Sequence, residues 1–103
     1  MAMEKNIVHQ IQNYLHAQGA WVVKIHGGWF QRAGIPDLIG VLKGRFLAIE
    51  VKRPGEGLTR LQAYVLAQIR KAGGIAFKAD SVDVVRETLD RELKSTEEAD
   101  DNA

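Results

Sequence analysis

The sequence predicts an α/β domain with a mixed sheet of about four strands flanked by helices. Three segments repeat apolar residues at helical spacing, as Ile7, Val8, Ile11 and Leu15 do in the first. Short apolar or alternating runs bounded by glycine, proline or aspartate lie between them and predict strands. The predicted order is helix, strand, strand, strand, helix, strand, helix (αβββαβα). A hairpin joined across a helix to one more strand gives a mixed sheet.

The composition indicates one soluble domain. The chain has 103 residues, 46% of them hydrophobic and 26% charged, which is ordinary for a globular protein. No apolar run is long enough to cross a membrane. The absence of cysteine excludes disulfides, thiolate metal ligands and cysteine nucleophiles, and it fits a reducing, cytoplasmic location.

The charge is unevenly distributed along the chain. Residues 95–103 carry four acids and no base, whereas residues 1–94 carry 14 bases and nine acids, a net charge of +5. We therefore predict a folded domain over residues 1–94 and a disordered acidic tail over 95–103. A basic body suits a polyanionic partner, although a soluble domain with a solvated terminus explains the same pattern.

The first predicted elements are a helix from Glu4 to Gln18 and a strand from Ala20 to His26. Gly19 is placed to end the helix. In the strand, Trp21, Val23 and Ile25 alternate as the apolar face, and Lys24 and His26 take the other face. If the two strands are neighbours, Lys24 and His26 point to the same side as Glu50 and Lys52.

A glycine-flanked loop over residues 27–34 follows. Its aromatic and basic side chains, among them Trp29 and Arg32, suit stacking on unpaired bases and contact with phosphate. Burial of the aromatic side chains to anchor the loop on the core is the alternative.

A hairpin is predicted next, with strands at Asp37 to Leu42 and Arg45 to Arg53 and a tight turn at Lys43-Gly44. Pro36 restricts the backbone that leads into Asp37. With a two-residue turn at positions 43 and 44, each residue pairs with the one whose number brings the sum to 87, so Asp37 lies opposite Glu50. Lys52 lies on the same face as Glu50 because side chains alternate along a strand.

Two carboxylates this close repel each other unless a proton or a cation lies between them. Oxygen ligands supplied by few protein groups suit Mg²⁺ or Mn²⁺, which retain waters and take further ligands from a phosphate. The alternative is a structural ion network in which Lys52 and Arg53 neutralise Asp37 and Glu50.

The remaining elements are a helix, a short strand and a last helix. Thr59 and Gln62 form a capping box at the start of the second helix, which Gly73-Gly74 ends. The strand is predicted at Ile75 to Lys78, and a polar residue at position 80 or 81 caps the last helix.

The ordered set Gly34-Ile35-Pro36-Asp37, Glu50-Val51-Lys52 and Leu58-Thr59 with Gln62 resembles the VRR-NUC family, the virus-type replication-repair nuclease domain. This family belongs to the PD-(D/E)XK nuclease superfamily. The resemblance covers about residues 4 to 88 and implies a restriction-endonuclease-like core with a metal-dependent active site.

The resemblance also implies roles for individual residues. Asp37 and Glu50 are expected to ligate the metal together with the carbonyl of Val51, and Lys52 to act on the attacking water and the phosphate. Glu4 matches an acid that often binds the metal, although a carboxylate in the first turn also complements the helix dipole. The family also counts a glutamine, here Gln62, in the site. A Gln62 side chain that reaches back to cap the helix cannot also reach the metal, so the sequence leaves open whether Gln62 serves the site or only the cap.

The function implied is a metal-dependent, structure-selective DNA endonuclease resembling a Holliday-junction resolvase and acting as a homodimer, in a bacterial cell or a phage-infected host. A nuclease of other specificity (nicking, flap or end processing) is the first alternative. A non-catalytic DNA-binding module is the second. The residues expected to contact DNA are Lys24, His26, Trp29, Arg32 and Arg53.

Overall fold

The computed structural model describes residues 4–26 and 33–101, with side chains as far as residue 94. Three helices and four strands follow one another in the predicted order. Their bounds are α1 Glu4–Ala17, β1 Trp21–Lys24, β2 Leu38–Leu42, β3 Arg45–Val51, α2 Arg60–Lys71, β4 Ile75–Ala79 and α3 Val82–Asp101.

The four strands form a mixed sheet in the order β1-β2-β3-β4. Strand β2 runs antiparallel to both β1 and β3, whereas β4 pairs in parallel with β3. Helix α2 makes the crossover between these two parallel strands, as a parallel pair requires. The prediction of a mixed sheet with helices around it is confirmed.

The two faces of the sheet are covered unequally. Helices α1 and α3 cover one face, where Ile11, Leu15, Ile49 and Val85 belong to the main core. Helix α2 lies on the other face over β3 and β4, and Leu66 there belongs to a second, smaller cluster. The α2 face of the sheet is therefore the less covered one over β1 and β2.

Strand β1 differs from the prediction in the face that it buries. Val22 is buried in the main core, whereas Trp21, expected on the core face, is 66% exposed. Because β1 is an edge strand and α2 packs over β3 and β4, the side of β1 with the larger apolar residues faces outward. Alternation predicted which residues share a face but not which face a helix covers.

The last helix extends beyond the predicted end of regular structure. The backbone of α3 is helical through Asp101, although the sequence predicted no regular structure from residue 95 onward. Extending an existing helix fixes one residue for each hydrogen bond gained, so a segment without an apolar face can continue it. The division of the chain at residue 95 stays a prediction. Within the described residues, none of the helices combines the length and the apolar character needed to span a membrane.

Candidate active site

The β2–β3 hairpin brings the two central carboxylates together. Leu38 pairs with Ile49 and Leu42 with Arg45, so the predicted register is confirmed. Lys43 and Gly44 have φ values of 51° and 79°, the pair of positive values that a two-residue type I′ turn requires. This turn fixes which residue meets which at the far end of the hairpin.

Asp37 lies just before β2 and is held against β3. Its Oδ2 atom accepts a hydrogen bond of 2.8 Å from the backbone N–H of Val51. Val51 is fully buried, so the carboxylate contacts a fixed part of the sheet. Asp37 also lines a cleft of about 320 Å³ that opens toward the first turn of α1.

Glu50 is a buried carboxylate on the α2 face of the sheet, with only 5% of its surface exposed. Burial and the charge of Asp37 raise its pKa to about 7, while the charge of Lys52 opposes this shift. Its Oε1 atom accepts a hydrogen bond from Gln62, and within the described chain its Oε2 atom is buried without a partner. A buried acid oxygen without a donor is unfavourable and suits a bound cation or a shared proton.

The Gln62 side chain takes part both in the helix cap and in a contact with Glu50. Its Oε1 atom accepts from the Thr59 N–H at 3.0 Å, and its own N–H donates to Thr59 Oγ1 at 3.1 Å, which confirms the capping box. Its Nε2 atom donates to Glu50 Oε1 at 3.0 Å. The sequence left open whether Gln62 serves the site or only the cap; in the structure the oxygen of its amide serves the cap and the nitrogen contacts Glu50.

The donor set for a metal is a pair of carboxylates rather than a larger cluster. No group of three or more His, Cys, Asp or Glu residues that could hold a metal ion occurs in the described part of the chain. Glu4 lines the same cleft as Asp37 but does not complete such a cluster. The oxygens of Asp37 and Glu50, with the orphan Oε2 atom among them, fit a hard divalent cation.

The basic residues of the site come from several elements. Lys24 and Arg53 line the cleft beside Asp37. Lys24 was expected on the side of Glu50 only if their strands were neighbours, and β2 lies between them. Lys24 shares the α1 face of the sheet with Val22, whereas Glu50 lies on the α2 face. The sequence reasoning missed this because it had no register for β1.

Other predicted DNA contacts fall outside this cleft. His26 is exposed beyond the end of β1 and does not line the cleft. Trp29 and Arg32 lie outside the described residues. Arg53 also forms an ion pair with Glu56 at 3.1 Å, which holds the loop after β3.

Two lysines near the site were not predicted. Lys5, one residue after Glu4 in α1, lines the cleft with Asp37. Lys78 is the parallel partner of Glu50 on β4, and its Nζ atom donates to the Glu56 carbonyl at 2.9 Å. Lys5 could have been found from its place beside Glu4, whereas the place of Lys78 depends on the parallel register of β4.

Comparison with known protein families identifies the family of this chain. The family model of the VRR-NUC domain matches residues 12–83. The chain belongs to the VRR-NUC family. Its members are nucleases of the PD-(D/E)XK type and generally depend on a divalent metal, so this chain is a nuclease domain with DNA as its substrate.

Solved VRR-NUC structures share the fold. One, described as a VRR_NUC domain, is 25% identical with a TM-score of 0.71, covering 84% of this chain and 94% of the other. A second, a VRR_NUC domain protein, is 22% identical with a TM-score of 0.71, covering 90% and 89%. No curated protein matches the chain significantly.

Proposed function

We propose that this VRR-NUC domain is a metal-dependent, structure-selective DNA endonuclease that acts as a homodimer, with four-way junctions as its preferred substrate. The observation that carries the proposal is the buried carboxyl of Glu50, whose Oε2 atom lacks a partner in the described structure, opposite Asp37. A carboxyl kept in this state is unfavourable for the fold alone and is characteristic of functional sites. The ion is Mg²⁺ or Mn²⁺.

Asp37, Glu50 and the backbone carbonyl of Val51 would hold the ion. A divalent ion in such a site polarises a phosphoryl oxygen and lowers the pKa of a bound water. Hydrogen bonds within the chain orient both carboxylates. The Val51 N–H orients Asp37, and the Gln62 amide orients Glu50.

Lys52 supplies positive charge next to the carboxylates. Its charge lowers the pKa of Glu50 and therefore acts at the same place where a phosphate would approach. A positioned ammonium orients the attacking water and stabilises the charge that develops on the phosphate in the transition state. Lys5, Lys24 and Arg53, which line the cleft beside Asp37, provide contacts for the neighbouring backbone phosphates.

The homodimer is supported by an apolar surface that the described part of the chain leaves exposed. Trp21, Val41 and Phe46 are partners across three neighbouring strands on the α2 face and are 66%, 45% and 44% exposed. An apolar groove of about 390 Å³, which Phe46 and Tyr64 line, adjoins them. A two-fold interface pairs the same surface of both subunits, so an exposed tryptophan and an apolar groove on one face can meet across such an axis. Two active sites related by such an axis suit the two symmetric cuts of a junction.

The deciding experiment is a panel of four-way junction, flap, nicked and linear duplex DNA, incubated with Mg²⁺ or Mn²⁺ and compared with EDTA. We expect metal-dependent cleavage with the junction cut fastest, and no cleavage by Asp37→Ala, which should still bind DNA. Preferred cleavage of another substrate would replace the junction assignment. Absence of cleavage on every substrate by folded protein would contradict the enzymatic proposal and favour a DNA-binding module.

A further inference from the structure

A side-chain hydrogen bond joins helix α2 to the carboxylate pair. The N-terminus of α2 approaches the α2 face of the sheet at Glu50, and the residue that makes the contact is Gln62 in the first turn. Gln62 is partly buried, and both of its amide ends have partners. A glutamine amide in this position has no freedom to exchange its oxygen and nitrogen, since only Nε2 can donate to a carboxylate.

The capping box determines how this amide is oriented. The Thr59 N–H can only donate, so it requires the Gln62 oxygen, and this turns the Gln62 nitrogen toward the sheet. The nitrogen then donates a hydrogen bond to Oε1 of Glu50. Of the two carboxylate oxygens of Glu50, Oε2 is the one left without a partner in the described structure.

We infer that Gln62 is a positioning residue, which uses the capping box of α2 to hold Glu50 with its Oε2 atom presented to the metal. This inference rests on the proposed metal-dependent function and adds a role for the first turn of α2. Gln62 then acts through Glu50 and does not itself contact the metal or the DNA. Groups that orient metal ligands in this way typically change metal affinity by about 10–100-fold when they are removed.

The structure offers a matched pair of substitutions that separate the two roles. Gln62→Met keeps the length of the side chain but removes the donor to Glu50 and the acceptor for the Thr59 N–H. Thr59→Ala removes the Oγ1 acceptor of the cap and leaves the bond between Gln62 and Glu50 in place. Both substitutions weaken the start of α2. If Gln62 has a purely structural role, both should therefore change the metal affinity equally.

The measurement is the binding of Mn²⁺ alone to the full chain, by calorimetry or by the resonance of free Mn²⁺, with thermal unfolding recorded in EDTA. We expect both variants to lower the unfolding midpoint to a similar extent. Gln62→Met should weaken Mn²⁺ binding by about tenfold or more. Thr59→Ala should stay within about twofold of the wild type, because its metal-facing contacts are intact.

Equal Mn²⁺ affinities of Gln62→Met and the wild type would overturn the inference and leave the proposed function standing. Absence of Mn²⁺ binding by the wild type would overturn both. If Gln62→Met does not fold, the side-chain amide of Gln62 in the wild type serves as the probe by NMR. Its proton signals should shift in Glu50→Gln and on addition of Mg²⁺, and unchanged signals in both cases would overturn the inference.

Discussion

At the scale of single residues, the site depends on one acid kept in an unfavourable environment. Glu50 is buried beside Asp37, and these two effects raise its pKa from 4.5 to about 7. Within the described residues, Gln62 donates a hydrogen bond to Oε1 of Glu50, and Oε2 has no partner. The fold is therefore less stable with Glu50 ionised than with it protonated, and a bound cation would relieve this penalty.

The metal-free protein should lose stability as the pH rises. Because the folded pKa of Glu50 lies above the unfolded one, its contribution is fully present below about pH 4.5 and is lost as the pH passes through about 7. The change is about 3 kcal/mol. Urea unfolding in EDTA at about pH 5 and about pH 8 measures it. In Glu50→Gln this contribution should vanish, and equal pH dependence of the two proteins would contradict the assignment.

At the scale of the elements, the hairpin and its neighbour β1 fix where Asp37 lies. Gly40 is the partner of Val22, and β1 approaches it so closely that a Cβ atom on Gly40 would lie 2.0 Å from the Trp21 carbonyl oxygen. Backbone occupies that space, so no side-chain rotation can relieve the clash. The absence of a side chain at this position permits the β1–β2 pairing from which the Asp37 end of the sheet is built.

Gly40→Ala should therefore destabilise the protein strongly. We expect the free energy of unfolding to fall by about 3 kcal/mol, since β1 must move away from β2. Gly57→Ala is the control, because a Cβ atom there meets nothing within 4 Å. Chemical denaturation of both variants measures the difference. A Gly40→Ala protein as stable as Gly57→Ala would show that β1 is not held at this distance.

At the scale of the whole molecule, basic residues from separate elements meet at the active-site cleft. Lys5 comes from α1, Lys24 from β1 and Arg53 from the segment after β3, and all three line the cleft with Asp37. Binding to DNA backbone releases counterions in proportion to the phosphates that are neutralised. The cleft residues should therefore govern affinity and salt dependence without affecting the metal.

Lys5→Ala and Lys24→Ala should each weaken binding to all DNA substrates alike. Each should lower the slope of log affinity against log salt by about 1, with Mn²⁺ binding unchanged. Lys71→Ala, at the last residue of α2 and not among the residues lining this cleft, is the control. Fluorescence anisotropy over a salt series tests the prediction. Equal slopes for Lys5→Ala and Lys71→Ala would remove Lys5 from the DNA surface.

The exposed apolar side chains Trp21, Val41 and Phe46 on the α2 face give a prediction about assembly. Trp21→Ser removes the largest exposed apolar side chain on this face without creating a cavity, because the indole is 66% exposed. We expect it to shift the protein from dimer to monomer in sedimentation velocity, with the fold retained by circular dichroism. Lys24→Ala, on the other face of the same strand, should leave the dimer intact. A Trp21→Ser protein that stays dimeric would place the interface elsewhere.

Much of the site follows from the sequence because its geometry is local. A two-residue turn at Lys43-Gly44 and the alternation of side chains suffice to bring Asp37 opposite Glu50 and to place Lys52 on the face of Glu50. Helix starts and ends were equally predictable where caps and glycines mark them, as at Thr59. These features depend on contacts between residues close in the chain or paired in one hairpin.

Tertiary structure alone decided the rest. The packing of α1 and α2 determines that Val22 rather than Trp21 of β1 is buried and that one amide joins the helix cap to the carboxylate. The register of β1 determines that Lys24 lies on the face away from Glu50. Local spacing contains no information about which face a helix covers, because that depends on how distant elements share a common core. The sequence by itself thus determined the carboxylate pair, and the packing of α2 determined which oxygen of Glu50 receives the hydrogen bond from Gln62.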